Sequence, residues 1–170
     1  MTHTISFKTA TEKDISLIHD LGEKIWRMHY PSIISLEQIA YMLDMMYSTE
    51  SLKKQMQNRN LFTIIYEEEK AVGYFSVSEN SVNNFFLHKF YMDPTKQRKG
   101  IGSKAFNYLI ESVCPNFETI TLQVNRRNIN AVNFYFKHGF VIDRVEDVAI
   151  GAGFSMDDFF MILTNSKKRQ

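Results

Sequence analysis

The sequence contains only one cysteine, three prolines and seven glycines among its 170 residues. A single cysteine, Cys114, cannot form an intrachain disulfide, so we expect a reducing, cytoplasmic environment. Cys114 is followed by Pro115 and carries no nucleophile motif around it, and we interpret it as chemically inert. Residues 1–8 lack the apolar core of a signal peptide. No apolar run approaches the roughly 18 residues of a membrane span, and we expect no membrane partner.

Neither sign of charge predominates, because 20 basic residues stand against 19 acidic ones for a net charge of +1. This balance argues against broad electrostatic binding of nucleic acid or of an anionic membrane. We interpret the basic residues 167–169 as a solvated tail. With 44% hydrophobic and 23% charged residues, the composition is typical of a globular protein. The length and the lack of a low-complexity linker predict a single domain over residues 1–170.

Hydrophobic periodicity predicts an α/β fold in the order strand, helices, three strands, helix, strand, helix, two strands. The predicted strands are 5–8, 61–67, 71–77, 85–92, 119–124, 140–145 and 159–163. Thr11 and Ser35 are plausible N-caps of early helices, and Gly139 is expected to end the helix that starts at Ile129.

The most informative segment is Gln97-Arg98-Lys99-Gly100-Ile101-Gly102, between the strand 85–92 and a helix predicted over 103–113. Two glycines at a helix start let the backbone approach a ligand closely. The N–H groups of a first helical turn have no intrahelical acceptor and form an anion site. Because Arg98 and Lys99 add positive charge, the segment predicts binding of a phosphate or pyrophosphate.

Two other interpretations of the glycines fail. Gly100 to Ala105 also satisfies the dinucleotide pattern G-x-G-x-x-A. A dinucleotide site needs its glycines directly after the first strand and an acidic residue at the end of the next one, whereas Pro94 intervenes and the strand 119–124 is followed by Asn125. Lys104 is in the wrong order for a phosphate-loop lysine. The five histidines and Cys114 show no metal-ligand spacing, so we expect no metal.

Two segments carry a joint pattern. Residues 90–94 are followed by the glycine segment 97–102, and residues 128–140 read Asn-Ile-Asn-Ala-Val-Asn-Phe-Tyr-Phe-Lys-His-Gly-Phe. The pair resembles the GCN5-related N-acetyltransferase (GNAT) superfamily, whose acyl-CoA loop is Q/R-x-x-G-x-G/A and whose later signature is N-x-x-A-x-x-F-Y-x-x-x-G-F. The resemblance covers the whole chain. It implies a mixed, mostly antiparallel sheet of about six or seven strands flanked by about four helices.

The resemblance further implies acetyl-CoA as cosubstrate. Coenzyme A carries a pyrophosphate, which suits a helix N-terminus, and a pantetheine arm whose amides suit a strand edge. The expected cofactor-binding residues are Phe90, Tyr91, Met92, Gln97, Arg98, Lys99, Gly100, Ile101, Gly102, Ser103 and Asn128. The alternative interpretation of Asn128 is a plain helix N-cap, and the two roles are compatible.

Tyr135 matches the family's tyrosine and is expected to protonate the leaving thiolate. A phenol of ordinary pKa about 10 is a suitable donor to a thiolate whose thiol has an ordinary pKa of about 8.5. The alternative is an aromatic core stripe with Phe134, Phe136 and Phe140.

The general base is less well defined. His88 stands on the strand where many family members have a glutamate, and it is either a base or a structural histidine. A second family position for a glutamate holds Gln123, which cannot accept a proton, so deprotonation by solvent stays open. A backbone N–H near Met92 is expected to meet the oxyanion.

The acceptor pocket is expected from the first helices and from the segment between the last two strands. Trp26 and Tyr30 are the predicted substrate residues, with His29 and Tyr41 nearby. Residues 146–158 are predicted to be a loop, mobile at its glycines. Its carboxylates, Glu146, Asp147, Asp157 and Asp158, either attract a cationic amine or are merely solvated.

These features predict an N-acetyltransferase that moves an acetyl group from acetyl-CoA to a primary amine by direct attack in a ternary complex. The expected acceptor is a small amine or polyamine. A non-catalytic acyl-CoA-binding sensor is the alternative, because no glutamate base is present. A homodimer is compatible with the family, although no sequence feature locates its interface.

Overall fold

The computed structural model describes residues 4–96 and 100–165, which form seven strands and five α-helices. The strands are β1 Ile5–Thr9, β2 Leu61–Glu67, β3 Lys70–Ser81, β4 Asn84–Met92, β5 Thr119–Asn125, β6 Val141–Gly151 and β7 Phe154–Thr164. The α-helices are α1 Ile15–His29, α2 Leu36–Tyr47, α3 Thr49–Gln57, α4 Ile101–Tyr108 and α5 Ile129–Lys137. A π-helical turn, Leu109–Val113, continues α4.

The strands lie in one sheet in the order β1-β2-β3-β4-β5-β7-β6. The pairs β1–β2, β2–β3, β5–β7 and β6–β7 are antiparallel, whereas β4 and β5 are parallel. This arrangement confirms the expected α/β fold with a mixed, mostly antiparallel sheet. The described residues hold one α-helix more than the four or so that the sequence predicted.

The chain divides into two compact units. The first comprises Met1–Ser78 and Lys89–Pro115, and the second comprises Glu79–His88 and Asn116–Gln170. The single domain expected over residues 1–170 stays a prediction.

In the first unit, α1 buries an apolar stripe that includes Ile18, Ile25 and Trp26. These positions recur with the helical period, so one face of α1 enters the core while the other meets solvent. Ser35 begins α2 as predicted, because its Oγ accepts a hydrogen bond from the N–H of Gln38 at 3.1 Å. The capping box of Thr11 with Asp14 is also present.

In the second unit, β5 alternates between half-buried and buried residues, with Ile120, Leu122 and Val124 turned into the core. This alternation is the pattern of a strand that is covered more completely on one face than on the other. Gly139 ends α5 as predicted, with a φ of +89° that favours glycine.

Two sequence predictions are wrong. The segment 146–158 is an antiparallel hairpin and not a loop, because β6 continues to Gly151 and β7 begins at Phe154. The glycines that suggested a loop occupy only the turn between the two strands, and an exposed antiparallel strand accepts the charged residues on either side of it. The helix predicted over 103–113 begins at Ile101 and changes to a π-helical turn at Leu109.

No helix within residues 4–96 and 100–165 is both long enough and apolar enough to cross a membrane.

Gly22 lies where α1 meets the ring of Tyr47, and a Cβ there would be 2.6 Å from Tyr47 Cδ1. Tyr47 is fully buried and its hydroxyl accepts a hydrogen bond from Tyr74, so the ring has little freedom to move. We expect Gly22→Ala to lower the free energy of unfolding, because overpacking costs about 1–3 kcal/mol against about 1 kcal/mol gained in helix propensity. Urea denaturation measures this change. The control Asp20→Ala, on the exposed side of α1, should not destabilise the protein; a more stable Gly22→Ala would contradict the packing argument.

Candidate active site

The glycine turn that precedes α4 has the backbone that its sequence predicts. Gly100 is the N-cap of α4 with a φ of +74°, and no heavy atom of the described residues lies within 4 Å of the place where a Cβ would be. Ile101 is buried and anchors the helix start, while Gly102 and Ser103 are half-buried in the first turn. The predicted contacts Gln97, Arg98 and Lys99 lie outside the described residues. The described part of the turn therefore leaves open space at a helix N-terminus.

The parallel ladder between β4 and β5 is short. It runs from the pair Asn84↔Thr119 to the pair Leu87↔Leu122, whereas β4 continues to Met92. Phe90, Tyr91 and Met92, the predicted pantetheine-binding residues, lie beyond that ladder and are half-buried.

The last residues of β4 are held against β3. A Cβ on Gly73 would overlap the carbonyl oxygen of Tyr91 and lie 2.7 Å from Met92 Sδ. The N–H of Asp93 donates to the carbonyl of Val72 at 2.8 Å. Glycine is required at position 73 because the backbone of β4 occupies the space of a side chain.

Buried ion pairs tether the residues that follow β4. Asp93 is almost fully buried, and it accepts hydrogen bonds from Lys24 Nζ at 2.5 Å and from the Oγ1 of Thr95 at 2.7 Å. Burial alone would raise the pKa of Asp93, but these hydrogen bonds outweigh it and the pKa is lowered. Lys96 donates to the buried Glu67, and this hydrogen bond raises the pKa of Lys96. Residues 93–96 are therefore fastened to α1 and to β2.

Trp26 and Tyr30, the predicted substrate residues, belong to an aromatic cluster in the first unit. Trp26 is only 2% exposed, and its ring stacks on Tyr30 with the centroids 4.3 Å apart. The rings of Tyr47 and Tyr91 lie 5.9 and 5.8 Å from that of Trp26. Tyr74 donates a hydrogen bond to Tyr47 at 2.8 Å, and burial raises the pKa of both phenols. A contact of Trp26 or Tyr30 with substrate stays a prediction.

Sequence reasoning missed Lys89 on β4. Its side chain is only 7% exposed, and Nζ donates to Gln55 Oε1 at 2.8 Å. The same ammonium lies 5.3 Å from the ring centroid of Tyr47 and 5.9 Å from that of Phe62. Burial lowers the pKa of Lys89 to about 8. Among the residues that the structure describes, no carboxylate pairs with Lys89 to offset its desolvation.

In the second unit, Tyr135 is 7% exposed on α5. Its ring centroid lies 5.4 Å from that of Phe140 and 5.6 Å from that of Phe134. These contacts fit the aromatic core stripe, and the role of Tyr135 as proton donor stays a prediction. Asn128 caps α5 as predicted, because its Oδ1 accepts from the N–H of Ala131 at 3.3 Å. Its contact with the cofactor also stays a prediction.

The candidate bases have contrasting surroundings. His88 is exposed on β4, with its ring 4.8 Å from that of Phe86. Gln123 is half-buried on β5, opposite Phe160 of β7. A base role for His88 stays a prediction.

Carboxylates of the β6–β7 hairpin differ sharply in burial. Glu146 and Asp147 are exposed, and Asp147 pairs with the guanidinium of Arg126. Asp157 accepts a hydrogen bond from the Ser155 hydroxyl at 3.0 Å. Asp158 is 5% exposed, and burial, then the charge of Asp157, raises its pKa to about 6. Asp158 is therefore the only one of these four carboxylates that is buried.

Within residues 4–96 and 100–165, no three His, Cys, Asp or Glu side chains are grouped so that they could hold a metal ion.

A family model described as an acetyltransferase (GNAT) domain matches residues 32–158. The fold is similar to that of PaiA N-acetyltransferase from Thermoplasma acidophilum in complex with coenzyme A, at 23% identity and a TM-score of 0.74, over 95% of this chain and 99% of that one. It is also similar to the ribosomal-protein-S18-alanine N-acetyltransferase from Escherichia coli, at 15% identity and a TM-score of 0.72, over 95% and 94% of the two chains. YncA from Salmonella typhimurium, solved with its cofactor acetyl-CoA, has 16% identity and a TM-score of 0.65, over 98% and 96%.

The surroundings of Lys89 generate a prediction about stability. Between pH 8 and the ordinary lysine pKa of 10.5, the unfolded chain binds a proton that the folded chain does not, so the free energy of unfolding rises with pH across this window. Below pH 8 the full desolvation cost is present, about 3 kcal/mol at 1.36 kcal/mol per pKa unit. We expect Lys89→Met to be more stable than the wild type at pH 7 and to lose the rise between pH 8 and 10.5.

Urea denaturation at pH 7, 9 and 10.5 measures this effect. Lys54→Met, which removes an exposed lysine from α3, is the matched control and should keep the wild-type pH dependence. Parallel pH profiles for Lys89→Met and the wild type would show that the buried ammonium carries no such cost.

Proposed function

Because the chain belongs to the GNAT acetyltransferase family, we propose that it transfers the acetyl group of acetyl-CoA to a primary amine by direct attack in a ternary complex. The family match and the fold support an acetyl-CoA-dependent acyltransferase. The observation that carries the proposal is the open left-handed turn at Gly100, which begins α4 a few residues after β4 ends. A pyrophosphate fits such a helix N-terminus because the free N–H groups and the helix dipole both favour negative charge.

In this proposal the backbone of the protein holds acetyl-CoA more than its side chains do. The first turn of α4, from Gly100 to Ser103, binds the pyrophosphate; Arg98 and Lys99 add positive charge to the site, and the amide of Gln97 adds a hydrogen bond. The backbone of Phe90 to Met92 pairs with the amides of pantetheine, and an N–H near Met92 donates to the oxyanion. Asn128 contributes a further contact while it caps α5.

Tyr135 supplies the proton that the leaving thiolate requires. The neutral nitrogen of the acceptor attacks the thioester carbonyl, the C–S bond breaks, and the phenol protonates the sulfur. The nitrogen loses a proton to water as the amide forms, and the phenolate takes a proton back from water. The buried position of Tyr135 supports this role, because a phenol shielded from water keeps its orientation.

The acceptor in this proposal is a small amine or polyamine, recognised in part by Trp26 and Tyr30. The fold neighbours leave the class of acceptor open, since one of them is named for the alanine of ribosomal protein S18. We place the enzyme in the cytoplasm, where the buried Cys114 stays reduced. A single domain over residues 1–170 acts as monomer or homodimer, which light scattering distinguishes.

The competing function is an acyl-CoA sensor without catalysis, which the exposed position of His88 and the amide of Gln123 favour. Calorimetric titration with acetyl-CoA, followed by thiol release against polyamines, amino acids and peptides, separates the two. Binding with turnover establishes the enzyme and its acceptor class. Binding without turnover on any acceptor supports the sensor, and no binding overturns the cofactor site.

Gly100→Ala tests the cofactor turn. A left-handed backbone costs a non-glycine residue about 1–2 kcal/mol, which corresponds to a factor of about 5–30 in an equilibrium constant. The new Cβ meets no steric obstacle, so the strain comes from the backbone angle alone. We expect the turn to relax away from the left-handed conformation and the Kd for acetyl-CoA to rise by up to that factor. Gly153→Ala introduces similar strain, at a φ of +80° in the β6–β7 turn, and should leave the acetyl-CoA Kd unchanged. Equal Kd values for wild type and Gly100→Ala would remove the turn from the site.

Tyr135→Phe tests the proton donor. We expect kcat to fall by about 10²–10⁴-fold, the range for loss of a general acid, with little change in the Kd for acetyl-CoA. Steady-state thiol release and calorimetry give the two quantities. Tyr66→Phe on β2 removes a hydroxyl elsewhere in the chain and should keep the wild-type kcat. An unchanged kcat in Tyr135→Phe would reject the acid role.

A further inference from the structure

Asp93 is a charged residue that the fold buries directly beside the strand end proposed to receive acetyl-CoA. The residue is 1% exposed and follows Met92, the last residue of β4. Burying a carboxylate costs free energy unless hydrogen bonds or an opposite charge replace its hydration. The chain supplies both to Asp93, although the reaction proposed above assigns this carboxylate no chemical step.

The two oxygens of the Asp93 carboxylate have different partners. Oδ1 accepts from the N–H of Thr95 at 2.9 Å and from its hydroxyl at 2.7 Å, which are local contacts within the turn after β4. Oδ2 accepts from Nζ of Lys24 on α1, 69 residues away in sequence, at 2.5 Å. The local contacts shape the turn, whereas the ion pair joins that turn to another element.

The backbone around Asp93 fixes the direction of the neighbouring peptide groups. Its N–H donates to the carbonyl oxygen of Val72 on β3 at 2.8 Å. The carbonyl oxygen of Tyr91 also faces β3, since it lies where a Cβ on Gly73 would be. Successive peptide groups of a strand point to opposite edges, so the N–H of Met92 is directed away from β3. The N–H of Met92 is thus the group at the end of β4 that suits the oxyanion of the proposed reaction.

Helix α1 packs on one face of this strand end. Tyr91 and Asp93 lie two residues apart and therefore share a face of β4. The ring of Tyr91 lies 5.8 Å from that of Trp26 on α1, and Asp93 meets Lys24 of the same helix. A charge-assisted hydrogen bond is more directional than a contact between tilted rings. The ion pair therefore limits how far the end of β4 moves relative to α1.

We propose that Asp93 is a positioning residue for acetyl transfer, which acts through Lys24 to hold the Met92 N–H where the oxyanion forms. The inference rests on the proposed function and adds to it a residue outside the groups assigned to donor and acceptor. A hydrogen-bond donor that stabilises a transition state must be in place before the charge develops. A displacement of about 1 Å costs a factor of about 10² in rate.

The position of Asp93 predicts a specific kinetic signature. In the proposed function the pyrophosphate is bound by the turn at Gly100, which the ion pair with Lys24 does not contact. The oxyanion, in contrast, forms beside Asp93 and exists only as the reaction proceeds. Loss of the ion pair should therefore slow the chemical step more than it weakens the binding of acetyl-CoA.

The variants are chosen to break the ion pair and keep the fold. The side chain of Lys24 is 46% exposed, so Lys24→Met removes a charge from the surface. In Asp93→Asn the amide oxygen still accepts from Thr95 while its NH₂ group faces Lys24. The double variant Lys24→Met/Asp93→Asn leaves no unpaired charge and serves if a single variant does not fold. Lys24→Arg retains the charge. Lys8→Met is the matched control, because Lys8 forms a 2.9 Å ion pair with Asp14 at the start of α1.

Steady-state thiol release with the amine that the wild type acetylates fastest gives kcat, and calorimetry gives the Kd for acetyl-CoA. We expect Lys24→Met and Asp93→Asn each to lower kcat by about tenfold or more and to change the Kd by less than about threefold. The double variant should be no slower than the slower single variant, because both changes break the same contact. Lys24→Arg should recover most of the wild-type kcat, and Lys8→Met should match the wild type.

Hydrogen exchange adds a readout that requires no substrate. We expect the Asp93 N–H, which donates to Val72, to lose about tenfold in protection in Lys24→Met. The N–H of Ala10, which donates to Phe62 at 2.8 Å elsewhere in the first unit, should keep its protection.

Three results would overturn this inference alone, in a wild type that transfers acetyl groups. They are an unchanged kcat in the variants that lack the ion pair, a Kd for acetyl-CoA that rises as much as kcat falls, and unchanged exchange of the Asp93 N–H. A wild type that binds no acetyl-CoA, or binds it and acetylates no amine, would overturn the proposed function and this inference together.

Discussion

The close approach of β3 to the end of β4 is the constraint on which the proposed donor site depends. Without a side chain at Gly73, the carbonyl of Tyr91 occupies the space beside β3, and the Asp93 N–H bonds to Val72. The residues after β4 are then fastened by Asp93 to Lys24 of α1. The backbone of residues 91–93 is therefore positioned before any ligand arrives, so little of its conformational entropy remains to be lost on binding.

Local patterns made much of the fold predictable. The alternation of Ile120, Leu122 and Val124 marks β5, and the caps Ser35 and Asn128 mark the starts of α2 and α5, because each signal acts over a few residues. The extent of β6 and β7 was missed, since their pairing depends on residues in other strands. The burial of Lys89 and of Asp158 was missed for the same reason: a charged residue in a strand ordinarily faces solvent, and only tertiary contacts bury it. Gln55, the partner of Lys89, lies 34 residues away in sequence.

Lys89 and Asp158 illustrate two outcomes of the same desolvation. Burial moves both pKa values towards neutrality, to about 8 for the lysine and to about 6 for the aspartate. The ammonium of Lys89 has an amide oxygen and two aromatic rings around it, so its cost is partly offset within the first unit. The carboxylate of Asp158 instead lies near the like charges of Asp157 and Asp147, which add to the effect of burial and raise its pKa further.

The π-helical turn Leu109–Val113 has a consequence for how related sequences align. A π-helical turn closes its hydrogen bond one residue later than an α-helical turn, so it accommodates one extra residue without displacing either end of the helix. A relative that lacks one residue between 109 and 113 would form a continuous α-helix there and keep the same buried face on α4, with Ala105 and Phe106 in the core. A one-residue deletion at this point therefore leaves the packing of α4 unchanged. The same deletion within residues 101–108 would rotate the helix face that follows the glycine turn.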